Sequence, residues 1–456
     1  MSYPPENTGG SSGPVIVPPY STFLPDMDLG KSGIEGWMPR LGVFDLTAPG
    51  TFQATIALPA GIIGCRLLFE NNNTIASPVV NSCSVSNPLT VADVNNSAGT
   101  WVQGTKQQAT VFPWQCPKPN GGTQLVVPTY TDFIPITTLP PTDGSLFHLL
   151  TMRVTMAAFS VATFGGLPVG GDATTTGSPT GDNYTNWATR PDGRIRIWRY
   201  QTGSFSAAGT QSGFTSTTNI SQCPIRGVIL YFRNRVAQHW SFGDSNGMAA
   251  GATYRDDNAA MRLAFEMNDP NGIVHCHYPS SWSGMGGNPY NGFYRRTRDL
   301  LRRNDLNGNF LWFPTATPND ALGAITAAIN QSSDQNVAKC CDMANKRGMR
   351  NILTNFAPVG KNTRNWSTDI TTPASDTLRV AKNLADAAMN SEGTLVIDVD
   401  SMVTKVAPYN GQIQPLSNTG DQSLMGFVFD EIHYSDAIFN AMKDAAKPFV
   451  KKSLGT

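Results

Sequence analysis

Beyond about residue 225 the chain alternates strand-length apolar runs with helix-length amphipathic segments, and this period constrains the fold more than any other feature. Strands are expected at 228–232, 237–242, 272–277, 310–315, 351–356 and 394–399. Between them, apolar residues at spacings of three and four mark helices. The first, over 319–346, carries Leu322, Ile325 and Ile329; the second, over 376–389, carries Leu378, Ala381, Leu384 and Ala388; the last, over 435–450, carries Ile438, Met442, Ala446 and Phe449. Strands joined by crossover helices run mostly parallel, and an open sheet of that kind binds ligands outside the carboxyl ends of its strands.

From about 30 to 222 short β-rich runs such as TFQATIAL, CRLLFE, QATVFP, LLTMRVTMAAFSV and RIRIWRY are separated by turn residues, with no convincing helical period. Many short strands with Gly, Pro and Asn turns predict a jelly-roll-like β-sandwich rather than a barrel. A chain of 456 residues is too long for one ordinary core. Three segments are therefore expected: a flexible Pro/Gly/Ser-rich arm over 1–29, an all-β domain over 30–224 and an α/β domain over 225–456. The stretch GGLPVGGDATTTGSPTGDNYTN reads as one long mobile loop.

Charge argues against some partners. Lys and Arg (33) balance Asp and Glu (33), so nothing draws the chain to nucleic acid. No apolar run reaches the roughly 18 to 20 residues of a membrane span, and no basic segment followed by an apolar one opens the chain. A soluble protein without membrane or signal peptide is expected, its compartment left open between extracellular and virion-associated. Seven cysteines, Cys65, Cys83, Cys116, Cys223, Cys276, Cys340 and Cys341, lack CxxC spacing and leave at least one thiol free. The first four could pair, whereas Cys340 and Cys341 fall in an expected helix and read as buried apolar residues.

Three loops that leave strands in the α/β half bring reactive side chains to its edge. FGDSN places Ser245 in a small-residue turn, where a hydroxyl can stand above a sheet. NFLWFPTATPND ends on Asn319 and Asp320, and FVFDEIHYSD supplies Asp430 and His433. A serine needs a base to react at neutral pH, and imidazole has the suitable pKa, which makes His433 the candidate. Asp430, three residues earlier, can hold the other ring nitrogen as a donor. A developing oxyanion needs donors, and the Asn319 amide with a backbone N–H of Gly284 or Gly286, in PSSWSGMGG, would serve.

In that order these residues resemble the SGNH, or GDSL-type, hydrolases over roughly 225–454. FGDSN is similar to the nucleophile block, WSGMGG to the glycine block, TATPND to the Gly-x-Asn-Asp block and DEIH to the Asp-x-x-His block. Asn246 replaces the leucine of the GDSL name, Thr317 stands where the third block has Gly, and the second-block glycine is one of Gly284, Gly286 and Gly287. The resemblance implies a flavodoxin-like three-layer sheet in which Ser245 attacks an ester carbonyl, His433 shuttles the proton and Asp430 orients it. Ser245 N–H, a glycine N–H and Asn319 would form the oxyanion hole, with no cofactor and no metal.

A jelly-roll-like module ahead of such a domain suggests, by analogy, a carbohydrate esterase. Its substrate would be an acylated carbohydrate or polysaccharide, its leaving acyl group foremost acetyl, with the β domain holding the polymer and Trp282 offering a sugar platform. Two other readings stand beside it: a lipid, thioester or small aryl ester hydrolase of the same fold, and a virion fibre, spike or adhesive protein carrying an auxiliary or inactive site. A homo-oligomer is compatible with each. His275 and His277 share one face of a strand but lack completing ligands, so packed or hydrogen-bonded histidines are expected there rather than a metal site. Trp240 reads as core or platform, and the arginines of YRRTRDLLRR as a solvated helix face.

Overall fold

The computed structural model describes residues 20–25, 43–46, 49–69, 79–86, 101–113, 129–136, 147–163, 194, 196–202, 215–216, 225–232, 235–244, 246–247, 249, 252–254, 257–269, 271–281, 308–316, 327–357, 373–404 and 433–456. The first half is antiparallel. Its strands are β1 (Tyr20–Pro25), β2 (Val43–Leu46), β3 (Gly50–Pro59), β4 (Ile62–Phe69), β5 (Val79–Ser86), β6 (Val102–Gly104), β7 (Phe112–Pro113), β8 (Thr129–Tyr130), β9 (Ile134–Pro135), β10 (Phe147–Met156), β11 (Phe159–Thr163), β12 (Arg196–Thr202), β13 (Thr215–Ser216) and β14 (Ile225–Phe232). One sheet has the order β1-β14-β4-β8, with β9 also on β4; a second has the order β13-β12-β3-β10-β5-β6, with β7 also on β5; β2 and β11 pair with each other.

Alternation decides which face of β3 and β10 meets the core. Phe52, Ala54, Ile56 and Leu58 pack with Leu150, Met152, Val154 and Met156 in one buried cluster. The opposite face is polar and equally buried. There Thr55 Oγ1 and Thr151 Oγ1 lie 2.7 Å apart, and Arg153 Nη2 donates to Gln53 Oε1 at 2.8 Å while its guanidinium stacks 4.1 Å above the Trp101 ring.

Two expectations change here. Residues 20–25, read as part of a flexible arm, form a strand paired residue for residue with β14. Residues 228–232, read as the first α/β strand, lie in β14, antiparallel between β1 and β4. A short apolar run carries no period that distinguishes a buried antiparallel strand from a parallel one. β14 also joins the halves. Val228, Leu230 and Phe232 share a core with Phe52, Leu67 and Val154, and with Val236, Val274 and Cys276 beyond them, while Ile229 packs with Trp240, Phe242 and Leu311.

The α/β half follows as β15 (Arg235–Gly243), α1 (Ala259–Met267), β16 (Ile273–Ser281), β17 (Phe310–Pro314), α2 (Ala327–Lys346), β18 (Arg350–Thr354), α3 (Pro373–Ala387), β19 (Thr394–Ile397), α4 (Val399–Thr404) and α5 (Asp436–Leu454). Its five strands are parallel in the order β16-β15-β17-β18-β19. Counted along the chain from β15 this is 2-1-3-4-5, the flavodoxin-like order, and the strand order reverses between β15 and β17, where such sheets bind ligands. Ala237 and Phe310 face α1 and α5, whose Leu263, Ile438, Phe439, Met442, Ala446 and Val450 cover one side of the sheet. Trp240, Leu311 and Phe313 face α2, whose Val337, Cys340, Cys341 and Ala344 cover the other. Trp240 is fully buried and so is core, not a platform.

The stripe expected on the second helix holds only at its start, where Leu378 packs against the core. In and just after α3, Ala381, Leu384 (71% exposed) and Ala388 face solvent, whereas Arg379, Lys382, Asn383 and Asp386 are buried. The reason is local: this helix lies against backbone and carboxylate groups at the sheet edge that only polar side chains can satisfy. Cys65, Cys83, Cys276, Cys340 and Cys341 are buried free thiols, which removes a Cys65–Cys83 disulfide. Among the described residues no helix is long and apolar enough to cross a membrane. Cys116, Cys223, Trp366, Leu322, Ile325, the long loop over 165–186 and the arginine-rich stretch over 294–303 lie outside the described residues.

Candidate active site

β15 delivers its chain to the carboxyl edge at Gly243, level with Ser281 of β16. The turn that follows closes on itself. A Cβ on Gly247 would lie 2.5 Å from Gly243 Cα, and one on Gly243 2.7 Å from Gly247 Cα, so both positions require glycine. Inside the turn Asp244, 1% exposed, accepts the Asn246 N–H at 2.9 Å, an Asx turn. Ala249 N–H continues it by donating to Asn246 O at 2.9 Å, with Ala249 held at φ 50. A left-handed alanine costs on the order of 1 kcal/mol, strain that the surrounding bonds must offset. Asn258, the N-cap of α1, braces the turn from beneath. Its Oδ1 accepts Met261 N–H at 3.0 Å, and its Nδ2 donates to Gly247 O at 2.7 Å and to Ser241 Oγ at 3.0 Å.

The second segment of the edge runs from His433 into α5. Tyr434 N–H donates to Asn246 Oδ1 at 2.8 Å, joining residues 188 positions apart. Asp436, in the first turn of α5, accepts from Thr253 N–H at 3.0 Å and from Thr253 Oγ1 at 2.6 Å, and pairs with Arg262 of α1. Burial acts to raise the Asp436 carboxyl, but the bonds from Thr253 and Arg262 outweigh it and hold the group below the usual carboxylate range. The Tyr434 hydroxyl is pushed well above its ordinary value, first by burial and then by the carboxylates of Asp244 and Asp400, so it stays a neutral buried phenol.

β17 and β18 end beside α3. Thr315 N–H donates to Thr354 O at 2.9 Å, and Thr315 Oγ1 donates to Asp386 Oδ2 at 2.6 Å. Lys382 bridges Asp386 at 3.1 Å and Asp334 at 2.6 Å. Burial raises the Asp386 carboxyl while Lys382 and Thr315 oppose the shift. Asn383 brackets Phe356, accepting its N–H at 3.0 Å and donating to its carbonyl at 2.9 Å, and Arg379 pairs with Asp400 at 2.7 Å. The edge loops thus rest on a buried polar layer.

Beneath the turn of residues 243–247 lies a set of histidines. Trp312 Nε1 can only donate, so His239 Nδ1 accepts from it at 3.2 Å; the proton of neutral His239 then sits on Nε2 and is donated to His275 Nδ1 at 3.0 Å. His277 Nε2 lies 2.7 Å from Ser241 Oγ. His239 has no partner in the local sequence because Trp312 and His275 sit on the strands to either side of it, a juxtaposition set by register rather than spacing. Burial, reinforced by His275 and His277, holds His239 well below the usual imidazole range, and burial lowers His275 to about 4. The sign follows. Between the unfolded value near 6.5 and the folded value near 4 the unfolded chain binds the extra proton, so stability is full above 6.5 and is lost as pH falls through that window. Each such histidine is expected to withdraw up to about 1.4 kcal/mol per pH unit there. Urea unfolding at pH 7 and pH 5 checks this; equal midpoints would contradict it.

Of the residues singled out in the sequence, His433 is described at the edge, and the chain neighbours of Ser245 are described beside it. Ser245 itself, Asp430, Asn319, Gly284, Gly286, Gly287 and Trp282 lie outside the described residues. Among solved structures the chain is similar to a carbohydrate acetylesterase family member from Sinorhizobium meliloti, at 11% identity over 48% of this chain and 99% of that one, with a TM-score of 0.31. It is also similar to a GDSL-like lipase from Bacteroides thetaiotaomicron, at 15% identity over 48% and 89%, with a TM-score of 0.29. A salicylyl-acyltransferase from a tetracycline biosynthetic pathway matches 96% of both chains at 10% identity and a TM-score of 0.30. No family model and no curated relative matches the sequence.

Proposed function

We propose that the chain is a serine esterase of the SGNH type, with Ser245 as nucleophile, His433 as general base and acid, and Asp430 orienting the imidazole. Ser245 would attack the ester carbonyl while His433 takes its proton and returns it to the departing alcohol; water, deprotonated by the same imidazole, would then release the acid. Ser245 N–H, Asn319 and a glycine N–H from Gly284 or Gly286 would hold the oxyanion. The observation that carries this reading is the 2.8 Å bond from Tyr434 N–H to Asn246 Oδ1, which ties the residue after His433 to the residue after Ser245. It lies at the edge where a 2-1-3-4-5 sheet binds its ligands.

The preferred substrate is an acetylated carbohydrate. We take the antiparallel sheets as a jelly-roll-like sandwich that holds the polymer, with the α/β unit beginning at Arg235 rather than near 225, and Trp282 as the sugar platform. Turnover of p-nitrophenyl esters from acetyl to octanoyl, with acetate release from a panel of acetylated glycans, tests the reading. Acetyl should be hydrolysed fastest and at least one glycan should lose acetate. A maximum at octanoyl would favour a lipid or thioester substrate, and a folded protein inert to every ester would favour a fibre or adhesive role.

A further inference from the structure

Asn246 occupies the position after Ser245 where the GDSL name has leucine, and it does something a leucine cannot. Its side chain is 7% exposed, its own N–H is engaged by Asp244 at 2.9 Å, and its Oδ1 accepts the Tyr434 N–H at 2.8 Å. That bond spans the gap between two segments from opposite ends of the α/β half. We propose that Asn246 is a positioning residue that sets the spacing between the nucleophile turn and the His433 segment. The inference rests on the esterase reading above.

Two further observations make the tie specific. The turn is fixed in itself by the Gly243–Gly247 contact and by Asn258, and α5 is anchored by Asp436 to Thr253 and Arg262, which follow the turn in the chain. Those anchors lie eight and more residues beyond Ser245, so the separation at the two reacting side chains themselves still needs a rule. A bond made at the residue next to Ser245 and the residue next to His433 supplies it with the shortest lever arm the chain allows. In Asn246→Leu the γ-branched shape is kept, with two bulkier methyl groups in place of the amide oxygen and nitrogen, but the acceptor is lost, which leaves the Tyr434 N–H without it and lets the segments part. Asn246→Asp keeps an acceptor at the cost of a charge beside Asp244.

The test measures kcat per competent site on p-nitrophenyl acetate. Competent sites are counted by the burst of p-nitrophenol from diethyl p-nitrophenyl phosphate, which phosphorylates the active serine once and expels one phenol. For Asn246→Leu, kcat per titrated site should fall roughly 10- to 100-fold, as a displacement near 1 Å would cause, with KM changed by less than about twofold. Asn246→Asp should recover a large part of the loss. A residue that merely stabilised the fold would instead lower the number of titratable sites and leave kcat per site unchanged, and that result would overturn the proposal. Should Asn246→Leu not fold, Asn246→Ser, whose hydroxyl is too short to reach Tyr434 N–H, gives the same comparison. Ser245→Ala run in parallel separates the levels: an inactive Ser245→Ala with an unaffected Asn246→Leu overturns the positioning role alone, whereas a fully active Ser245→Ala overturns the esterase reading and the proposal together.

Discussion

Replacing Ser245 with alanine is expected to lower turnover of an activated acetyl ester by roughly three to six powers of ten while the protein stays folded. The loss is chemical: the proposed nucleophile is removed, while the contacts that hold the turn among the described residues come from Gly243, Gly247, Asp244 and Asn258, which stay in place. His433→Ala should fall into the same range, and the double variant should be little worse, because groups that act as one unit are not additive. Asp430→Asn should lose less, since an orienting carboxylate is partly replaceable. Steady-state kinetics with a thermal melt of each variant decides it, and a Ser245→Ala protein with more than a small fraction of wild-type turnover would remove the assignment.

The second large effect concerns the front half. A chain beginning at Cys223 contains every proposed catalytic residue, and its sequence alone would suggest an independent esterase, yet it is expected not to fold. β14 would lose both neighbours, β1 and β4. Val228, Leu230, Phe232, Val236, Val274 and Cys276 would lose the apolar partners that Phe52, Leu67 and Val154 represent. At about 1.5–3 kcal/mol for each large apolar side chain exposed, the cost is on the order of 10 kcal/mol, comparable to the entire 5–15 kcal/mol that typically holds a domain together. Near-ultraviolet circular dichroism and a melting curve of this shortened chain test the point. A cooperative melt with undiminished activity on p-nitrophenyl acetate would mean that the shared core is dispensable.

How far the sequence could be read depends on what each feature is made of. The parallel strands and the helices α2, α3 and α5 were legible because apolar period is a local property, whereas the shorter α1 and α4 were not read; the edge of the sheet followed from strand–helix alternation. The face of α3 was not. Leu384 and Ala388 outline an apolar stripe, but Arg379, Asn383 and Asp386 are the residues that meet Asp400, Phe356 and Thr315, and those partners come from other segments of the chain. β14 failed for a similar reason, since its neighbours lie more than 150 residues earlier. At the site, Ser245 and His433 stood out by residue type in ordered motifs. Asn246 read only as a departure from leucine, because its role exists in the contact with Tyr434 and nowhere in the local sequence.

The central claim is that Ser245 is a nucleophile activated by His433. Its most direct test is covalent labelling of the whole protein with a fluorophosphonate, followed by digestion and mass analysis of the peptides. One phosphonylated residue is expected, Ser245, with fluoride displaced, and labelling should be strongly slowed in His433→Ala. Labelling confined to another residue, or labelling of Ser245 at an unchanged rate in His433→Ala, would contradict it.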